Sequence, residues 1–280
     1  MNTETISSHE PVFANKKVAT NMPFFDGTTL IFCQSAEASH VNIRTTGTIW
    51  KRIGRNKALA ERLKNLPRSQ KVTYRAWKLA YCNWQDKTVN AITTGLPANV
   101  SERSPVFYRE GDTVHLSFIS GVPTSGGFRY RLYTCSGPDL AHLDTPQPVS
   151  KPPLFFGFVG PHHICWGAGN IVQLAEKATG NTFRLKTGFY RVASVNFLAE
   201  NPAKLLITGL IDKEFRCQTV LYDLATGNVS QVSVGGPVYK SSMHGSHLVF
   251  AQRQDEGFEE RELYHGECVL SPSTIQISKE

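Results

Sequence analysis

The chain has 280 residues, of which 40% are hydrophobic and 19% are charged, and its formal net charge is +7. This composition excludes a globally disordered chain, and the length allows one large all-β domain or two ordinary domains. No stretch reaches the roughly 18 apolar residues of a membrane-spanning helix, so no membrane partner is predicted.

The N-terminal part is polar and lacks the apolar core of a signal peptide, which predicts a cytoplasmic or particle-associated protein. We interpret residues 1–20 as an N-terminal arm and residues 21–280 as one folded domain. The 22 glycines and 15 prolines of the chain are typical of many strands joined by tight turns, and they argue against a helical bundle.

Six strongly apolar strands recur along the folded domain. Their spacing clusters around the roughly 40 to 45 residues of a four-stranded propeller blade. They are predicted over Thr29–Cys33, Trp77–Cys82, Thr113–Phe118, His163–Trp166, Lys204–Thr208 and His247–Ala251. The second unit is irregular, so five blades with an insertion are an alternative to six blades.

Turn sequences support this repeat. Asp26-Gly27 and Gly111-Asp112 each precede one of the apolar strands, and these residue types favour a turn between a first and a second strand. The sequence Ala-Thr-Gly-Asn occurs twice, at 178–181 and 225–228. It predicts equivalent turns between a third and a fourth strand.

One segment breaks the strand pattern. Leu59, Leu63 and Leu66 have the spacing of one helix face, and Pro67 ends the segment. We therefore predict a short helix over Asn56–Leu66, inside a basic insertion over about residues 51–70 that follows the first unit.

The repeated units resemble those of β-propeller proteins over roughly residues 20 to 275. The resemblance is one of architecture, since no unit carries a Trp-Asp or kelch signature. It implies an all-β fold with a single β-propeller of five or six four-stranded blades. A pair of β-sandwiches is the structural alternative.

The chain is also weakly similar to five-bladed glycosidases of the arabinanase and levansucrase type. That resemblance implies acid, base and helper carboxylates at the starts of the inner strands. The predicted starts contain no acidic residue: Asn21–Pro23, Arg103–Pro105, Lys151–Pro153, Val192–Ser194 and Gly235–Pro237. Because glycoside hydrolysis needs two suitably placed carboxyl groups, we predict no catalytic residues and favour a protein that is not an enzyme.

The strongest charge feature surrounds the predicted helix. Between Arg44 and Lys78 there are eleven basic residues and one acidic residue, Glu61. This concentration favours a polyanionic partner, such as nucleic acid, an acidic protein surface or a sulfated glycan, and a solvated basic face is the alternative. The predicted contact residues are Arg44, Lys51, Arg52, Arg55, Lys57, Arg62, Lys64 and Arg68.

Histidines and cysteines give weaker signals. His162-His163 and His244–His247 fall at equivalent points of two units, and with Cys165 they have ligand types that suit zinc. No further ligand follows at an established spacing, so neither a metal nor another cofactor is expected. The six cysteines form no CxxC motif, which favours buried thiols, with disulfides between blades as the alternative.

These observations predict a non-catalytic propeller that acts as a protein-interaction or assembly module. Its partner is another protein or further copies of the chain, and a component of a larger particle, such as a virion, fits this role. A carbohydrate-binding or glycoside hydrolase-like propeller is the alternative. Polyanion or nucleic-acid binding through residues 44–78 is the second alternative.

Overall fold

A computed structural model describes residues 9–13, 19–44, 69–98, 100–124, 127–149, 154–213, 216–234, 238–253 and 261–280. Within these ranges every element of regular secondary structure is a β-strand, and the strands form five antiparallel sheets. No helix in the described ranges has the length and apolar character needed to cross a membrane. The five sheets are the blades of one β-propeller.

Blades 1 and 2 contain strands that pair in chain order. Blade 1 consists of β2 (Thr20–Phe25), β3 (Thr29–Arg44), β4 (Ser69–Asn83) and β5 (Val89–Ala91). Blade 2 consists of β6 (Ser101–Glu110), β7 (Thr113–Thr124), β8 (Gly127–Gly137) and β9 (Gln147–Pro148).

Blades 3 to 5 repeat this order. Blade 3 begins with β10 (Phe156–Val159), β11 (His163–Ala168), β12 (Ile171–Glu176) and β13 (Thr182–Thr187). Blade 4 begins with β14 (Arg191–Leu198), β15 (Asn201–Leu210), β16 (Cys217–Asp223) and β17 (Val229–Ser233). Blade 5 contains β18 (Lys240–His244), β19 (His247–Arg253) and β20 (Arg261–Glu267).

Three short strands near the chain ends complete these blades. β1 (Glu10–Pro11) pairs with β20 and is the outer strand of blade 5. β21 (Val269–Pro272) adds a fifth strand to blade 4, and β22 (Ile277–Lys279) adds a fifth strand to blade 3. The C-terminal segment therefore joins the outer edges of two neighbouring blades.

The first strand of each blade, namely β2, β6, β10, β14 and β18, lies at the centre of the ring. β2 is buried along its whole length, whereas β13 alternates between exposed and less exposed residues. This difference arises because inner strands are covered by neighbouring blades and outer strands have one side in solvent. We call the face where the inner strands begin the start face, and the face where they end the turn face.

Four phenylalanines fill the central channel, and none is more than 2% exposed: Phe24, Phe107, Phe158 and Phe197. The ring centroids of Phe24 and Phe197 lie 5.2 Å apart with edge-to-face geometry. Since blades 1 and 4 are not neighbours, this contact crosses the channel. Phe107 packs on Phe24, and Phe158 packs on Phe197. We call these residues the aromatic plug, and it separates the channel into two mouths.

The five-bladed alternative is confirmed, and six blades are wrong. Trp77–Cys82 is not the second strand of a new unit but part of β4, whose Cys82 pairs with Leu30 of β3. The insertion therefore lies inside blade 1, between its second and third strands. Residues 56–66, where we predicted a helix, lie outside the described residues.

The predicted turns are confirmed. Asp26-Gly27 and Gly111-Asp112 join the first and second strands of blades 1 and 2. The two Ala-Thr-Gly-Asn sequences join the third and fourth strands of blades 3 and 4. Gly180 and Gly227 there have φ values of 74° and 76°, a left-handed conformation that glycine adopts without strain.

Candidate functional site

Glu102 is the acidic residue at the start-face mouth that the sequence analysis missed. It follows the first residue of β6, directly before the predicted inner-strand start at Arg103, and its side chain is 1% exposed. Its Oε1 accepts hydrogen bonds from Lys78 Nζ (2.9 Å) and from Thr94 Oγ1 (2.7 Å). The carboxylate thus joins blade 2 to blade 1, and its Oε1 is already hydrogen-bonded to these two donors.

The starts of β2 and β6 share an unusual backbone. Met22 and Ser104 have φ values of 54° and 50°, and each precedes a proline. Such values are uncommon for residues with a side chain and store strain. The Ser104 amide donates to Met22 Sδ (3.2 Å), while Asn21 Nδ2 is buried without a hydrogen-bond partner. Equivalent bulges therefore shape this mouth from two neighbouring blades.

Aromatic rings paired with cations surround the same mouth. The pairs are Arg103 with Tyr130, Arg191 with Phe155 and Lys240 with Tyr239, at 5.6, 5.1 and 5.9 Å from the cationic group to the ring centroid. Distances below about 6 Å are typical of cation–π contacts. Tyr190, which precedes Arg191, is 55% exposed, and Phe155 is 44% exposed. The start face therefore presents aromatic surface and positive charge together.

A cavity of about 400 Å³ opens on the turn face. Phe107 and Phe197 of the aromatic plug form its floor. Every blade contributes one carboxylate, arginine or histidine side chain to its wall: Asp26, Arg109, His162, Glu200 and His244. Because all five come from the ends of inner strands or from the turns that follow, the fold itself brings them together.

Asp26 has a role in its turn as well as in the cavity. Its Oδ1 accepts hydrogen bonds from the backbone amides of Thr28 and Thr29, at 2.9 and 2.7 Å, and from the Thr28 hydroxyl. This arrangement is an Asx-type turn, and it lies where the sequence predicted a turn between the first and second strands. The second oxygen, Oδ2, has no partner within the described ranges.

Glu200 and His244 form a pair across blades 4 and 5. His244 Nδ1 lies 3.1 Å from Glu200 Oε2, and Glu200 Oε1 accepts a hydrogen bond from the Gly245 amide (2.9 Å). The imidazole packs directly over Gly27, where a Cβ atom would lie 2.7 Å from Nε2. Gly27 is therefore needed both for its φ of 99° and for the space that it leaves.

The contact between blades 5 and 1, which we call the closure seam, contains a second cluster. The Trp84 ring packs against His247 and His265 at 5.3 and 5.2 Å and against Phe25 at 4.6 Å. Lys87 Nζ lies over the Trp84 ring, buried and without a hydrogen-bond partner. Burial lowers the pKa of Lys87 to about 8 and lowers the pKa of both histidines.

The histidines and the cysteine whose side-chain types suit zinc do not assemble into one site. His162 and His244 line the same cavity, but Cys165 is fully buried in β11, and burial raises the pKa of its thiol. Among the described residues there is no group of three side chains suited to hold a metal ion. The prediction of buried thiols is confirmed for Cys33, Cys82, Cys135 and Cys165.

Of the predicted contact residues, Arg44 is the one whose backbone the structure describes. Arg44 is the last residue of β3, and its backbone pairs with Ser69 of β4. These strands extend past the level of Thr20, so their paired ends project from the start face. The other predicted residues, Lys51, Arg52, Arg55, Lys57, Arg62, Lys64 and Arg68, lie outside the described residues.

Several residues of the two mouths were missed in the sequence. Glu102 lies one residue before the predicted inner-strand start at Arg103, because β6 begins two residues earlier, at Ser101. Arg109 and Glu200 follow no motif, and the same is true of Trp84 and Lys87 in the closure seam. Only the ring arrangement of the blades brings such distant residues together.

Comparison with known proteins supports the fold. No family model and no curated protein matches the sequence. The structure is similar to Zg3597, a family 117 glycoside hydrolase produced by the marine bacterium Zobellia galactanivorans, with a TM-score of 0.51 and 10% identity over 95% of this chain and 92% of that one. A β-1,2-mannobiose phosphorylase from Listeria innocua aligns with a TM-score of 0.42 and 12% identity over 96% and 95%. The chain is a five-bladed β-propeller.

Proposed function

We propose that this propeller binds an anionic glycan on its start face without hydrolysing it. The observation that carries the proposal is the exposed pair Tyr190 and Phe155, with the Arg191 guanidinium over the Phe155 ring. Exposed aromatic rings offer flat apolar faces for the C–H groups of a sugar, and the guanidinium offers donors suited to a carboxylate or sulfate.

The charge of the start face supports an anionic ligand. At the described starts of the inner strands the charged residues are Glu102, Arg103, Arg191 and Lys240. Lys78 pairs with the single carboxylate, and the side chains of Arg103 and Arg191 reach the surface, whereas Lys240 is buried. The paired ends of β3 and β4, at Arg44 and Ser69, also lie on this face, and in the sequence the predicted basic segment starts at Arg44.

The arrangement of carboxylates argues against hydrolysis. Retaining and inverting mechanisms each need two carboxyl groups on either side of the bond that breaks. Among the described residues at the inner-strand starts, Glu102 is the one carboxylate, and Lys78 and Thr94 hold it in place. The glycoside hydrolase neighbour shares the fold at 10% identity, so we infer the ligand class from the residues of this chain.

Binding to defined polysaccharides tests the proposal. Heparin and polygalacturonate are the anionic probes, dextran is the neutral one, and calorimetry measures affinity while reducing-sugar release measures hydrolysis. We expect the anionic probes to bind, with affinity falling as salt rises, and no sugar release. Tyr190→Ala should weaken binding about tenfold, since a stacking contact contributes about 1–1.5 kcal/mol.

Two substitutions outside the start face serve as controls. Leu270→Ala removes an exposed apolar residue from β21, and Arg184→Gln removes an exposed charge from β13. Both variants should bind heparin like the parent protein. Equal affinity for dextran and heparin, or unchanged affinity after Tyr190→Ala, would contradict the proposal. Release of reducing sugar would contradict its non-catalytic part.

Assembly through a protein contact is the second candidate function. It is favoured by β21, an outermost strand on which Val269 and Leu270 are 49% and 51% exposed. Edge strands with exposed apolar side chains are templates for pairing with another chain. Light scattering at low and high salt tests it, because an oligomer that Leu270→Lys dissociates would support assembly and a monomer at both salts would contradict self-assembly.

A further inference from the structure

The charges of the turn-face cavity are segregated around the ring. Blades 2 and 3 contribute the basic side chains Arg109 and His162, whereas the carboxylates Asp26 and Glu200 come from blades 1 and 4. Blade 5 lies between these two blades in the closed ring and contributes His244, which faces Glu200. One half of the wall is therefore basic and the opposite half is acidic.

Both halves keep unused hydrogen-bonding capacity. Within the described part of the chain, the side chains of Arg109 and His162 have no hydrogen-bond or ion-pair partner. Asp26 uses only Oδ1 in its turn, which leaves Oδ2 for a ligand. The Lys177 ammonium, by contrast, is already occupied, since it donates a hydrogen bond to the hydroxyl of Tyr108, which lines the cavity, at 3.0 Å.

The floor and the size of the cavity add two further requirements. Phe107 and Phe197 present an apolar surface at the bottom, and the space of about 400 Å³ suits a small molecule rather than a polymer. The aromatic plug separates this cavity from the start face, so its occupant is distinct from a glycan bound there. A ligand that meets all these conditions carries one anion, one cation and an apolar group.

We propose that the turn-face cavity binds a zwitterionic small molecule of the α-amino acid class. Its carboxylate faces Arg109 and His162, its ammonium faces Asp26 and Glu200, and its apolar side chain lies on Phe107 and Phe197. Charge-assisted hydrogen bonds at both ends fix the orientation of such a ligand. A ligand that lacks either charge leaves one half of the wall without a counterion.

Three matched probes test this assignment on the full chain by calorimetry. L-Phenylalanine has both charges, 3-phenylpropionate lacks the ammonium, and phenethylamine lacks the carboxylate. We expect L-phenylalanine to bind at millimolar concentration or below, and each of the other probes to bind about tenfold more weakly. No binding of L-phenylalanine, or equal binding of the three probes, would overturn the proposal.

Variants assign the binding to the cavity. Arg109→Gln, at an exposed position, should weaken L-phenylalanine binding about tenfold and leave phenethylamine binding unchanged, so that these two probes then bind about equally. Arg184→Gln, on β13 outside the cavity, is the charge-matched control and should bind L-phenylalanine like the parent protein. If both variants behave alike, the cavity is not the site. Thermal unfolding of each variant verifies that it is folded.

Discussion

The two mouths of the channel use carboxylates in different ways. On the start face, Glu102 is fully buried and joins two blades through Lys78 and Thr94. On the turn face, Asp26 lines an open cavity and uses only Oδ1 in its turn, so that Oδ2 has no donor within the described ranges. The donors around a carboxylate, and not its place on an inner strand, therefore decide whether it is structural or available to a ligand.

Removing the structural carboxylate should have the largest effect on stability. Glu102→Gln leaves the Lys78 ammonium without its counterion in a mostly buried position, and breaking a buried ion pair in this way destabilises a protein by about 3 kcal/mol. Urea denaturation measures the free energy of unfolding. The control is Glu110→Gln, at a carboxylate that is 76% exposed, and a similar loss in both variants would contradict a specific role of Glu102.

Gly27→Ala tests how closely His244 packs over the Asp26-Gly27 turn on the turn face. The added Cβ would lie 2.7 Å from His244 Nε2, and the φ of 99° disfavours any residue with a side chain. We expect a loss of about 2 kcal/mol. Gly111→Ala is the matched control, since Gly111 has a φ of 57° and open space around its Cα atom, and it should lose only about 1 kcal/mol. If the two variants lose equal free energy of unfolding in urea denaturation, the His244 side chain moves away from the added Cβ atom at little cost.

The blade pattern was predictable from sequence, while the contents of the two mouths were not. Apolar strands, Asp-Gly turns and the repeated Ala-Thr-Gly-Asn turns are local signals, so they predicted the propeller and its turns. Blade number was ambiguous because β4 is as apolar as a second strand and follows an insertion. Arg109 and Glu200 share the cavity only through ring closure, which no local pattern encodes.

The closure seam predicts a pH dependence beside the turn-face mouth. Burial lowers the pKa of Lys87 from 10.5 to about 8. As the pH falls, the Lys87 amine is therefore protonated at a higher pH in the unfolded chain than in the folded protein. The free energy of unfolding consequently decreases as the pH falls from 10.5 to about 8. The lowered pKa of His247 and His265 adds a further loss below pH 6.5.

Lys87→Met tests this dependence. The variant lacks the buried cation, so at pH 7 we expect it to be more stable by about 1 kcal/mol, a value reduced from the full shift because Lys87 is partly exposed. Its stability should also change less than that of the parent protein between pH 8 and 10.5. Thermal unfolding across this range is the measurement, and identical pH profiles for the two proteins would contradict the role of Lys87.

Tyr190→Ala sharpens the contrast between the mouths because its effect on stability should be the smallest. Tyr190 is 55% exposed at the start face, and substitutions at such positions change the free energy of unfolding by less than about 0.5 kcal/mol. A side chain that contributes little to folding but is needed for heparin binding has the profile of a ligand contact. If urea denaturation instead shows a loss of free energy of unfolding as large as that of Gly27→Ala, the Tyr190 ring packs within the fold. Weaker heparin binding by Tyr190→Ala would then not identify a ligand contact on the start face.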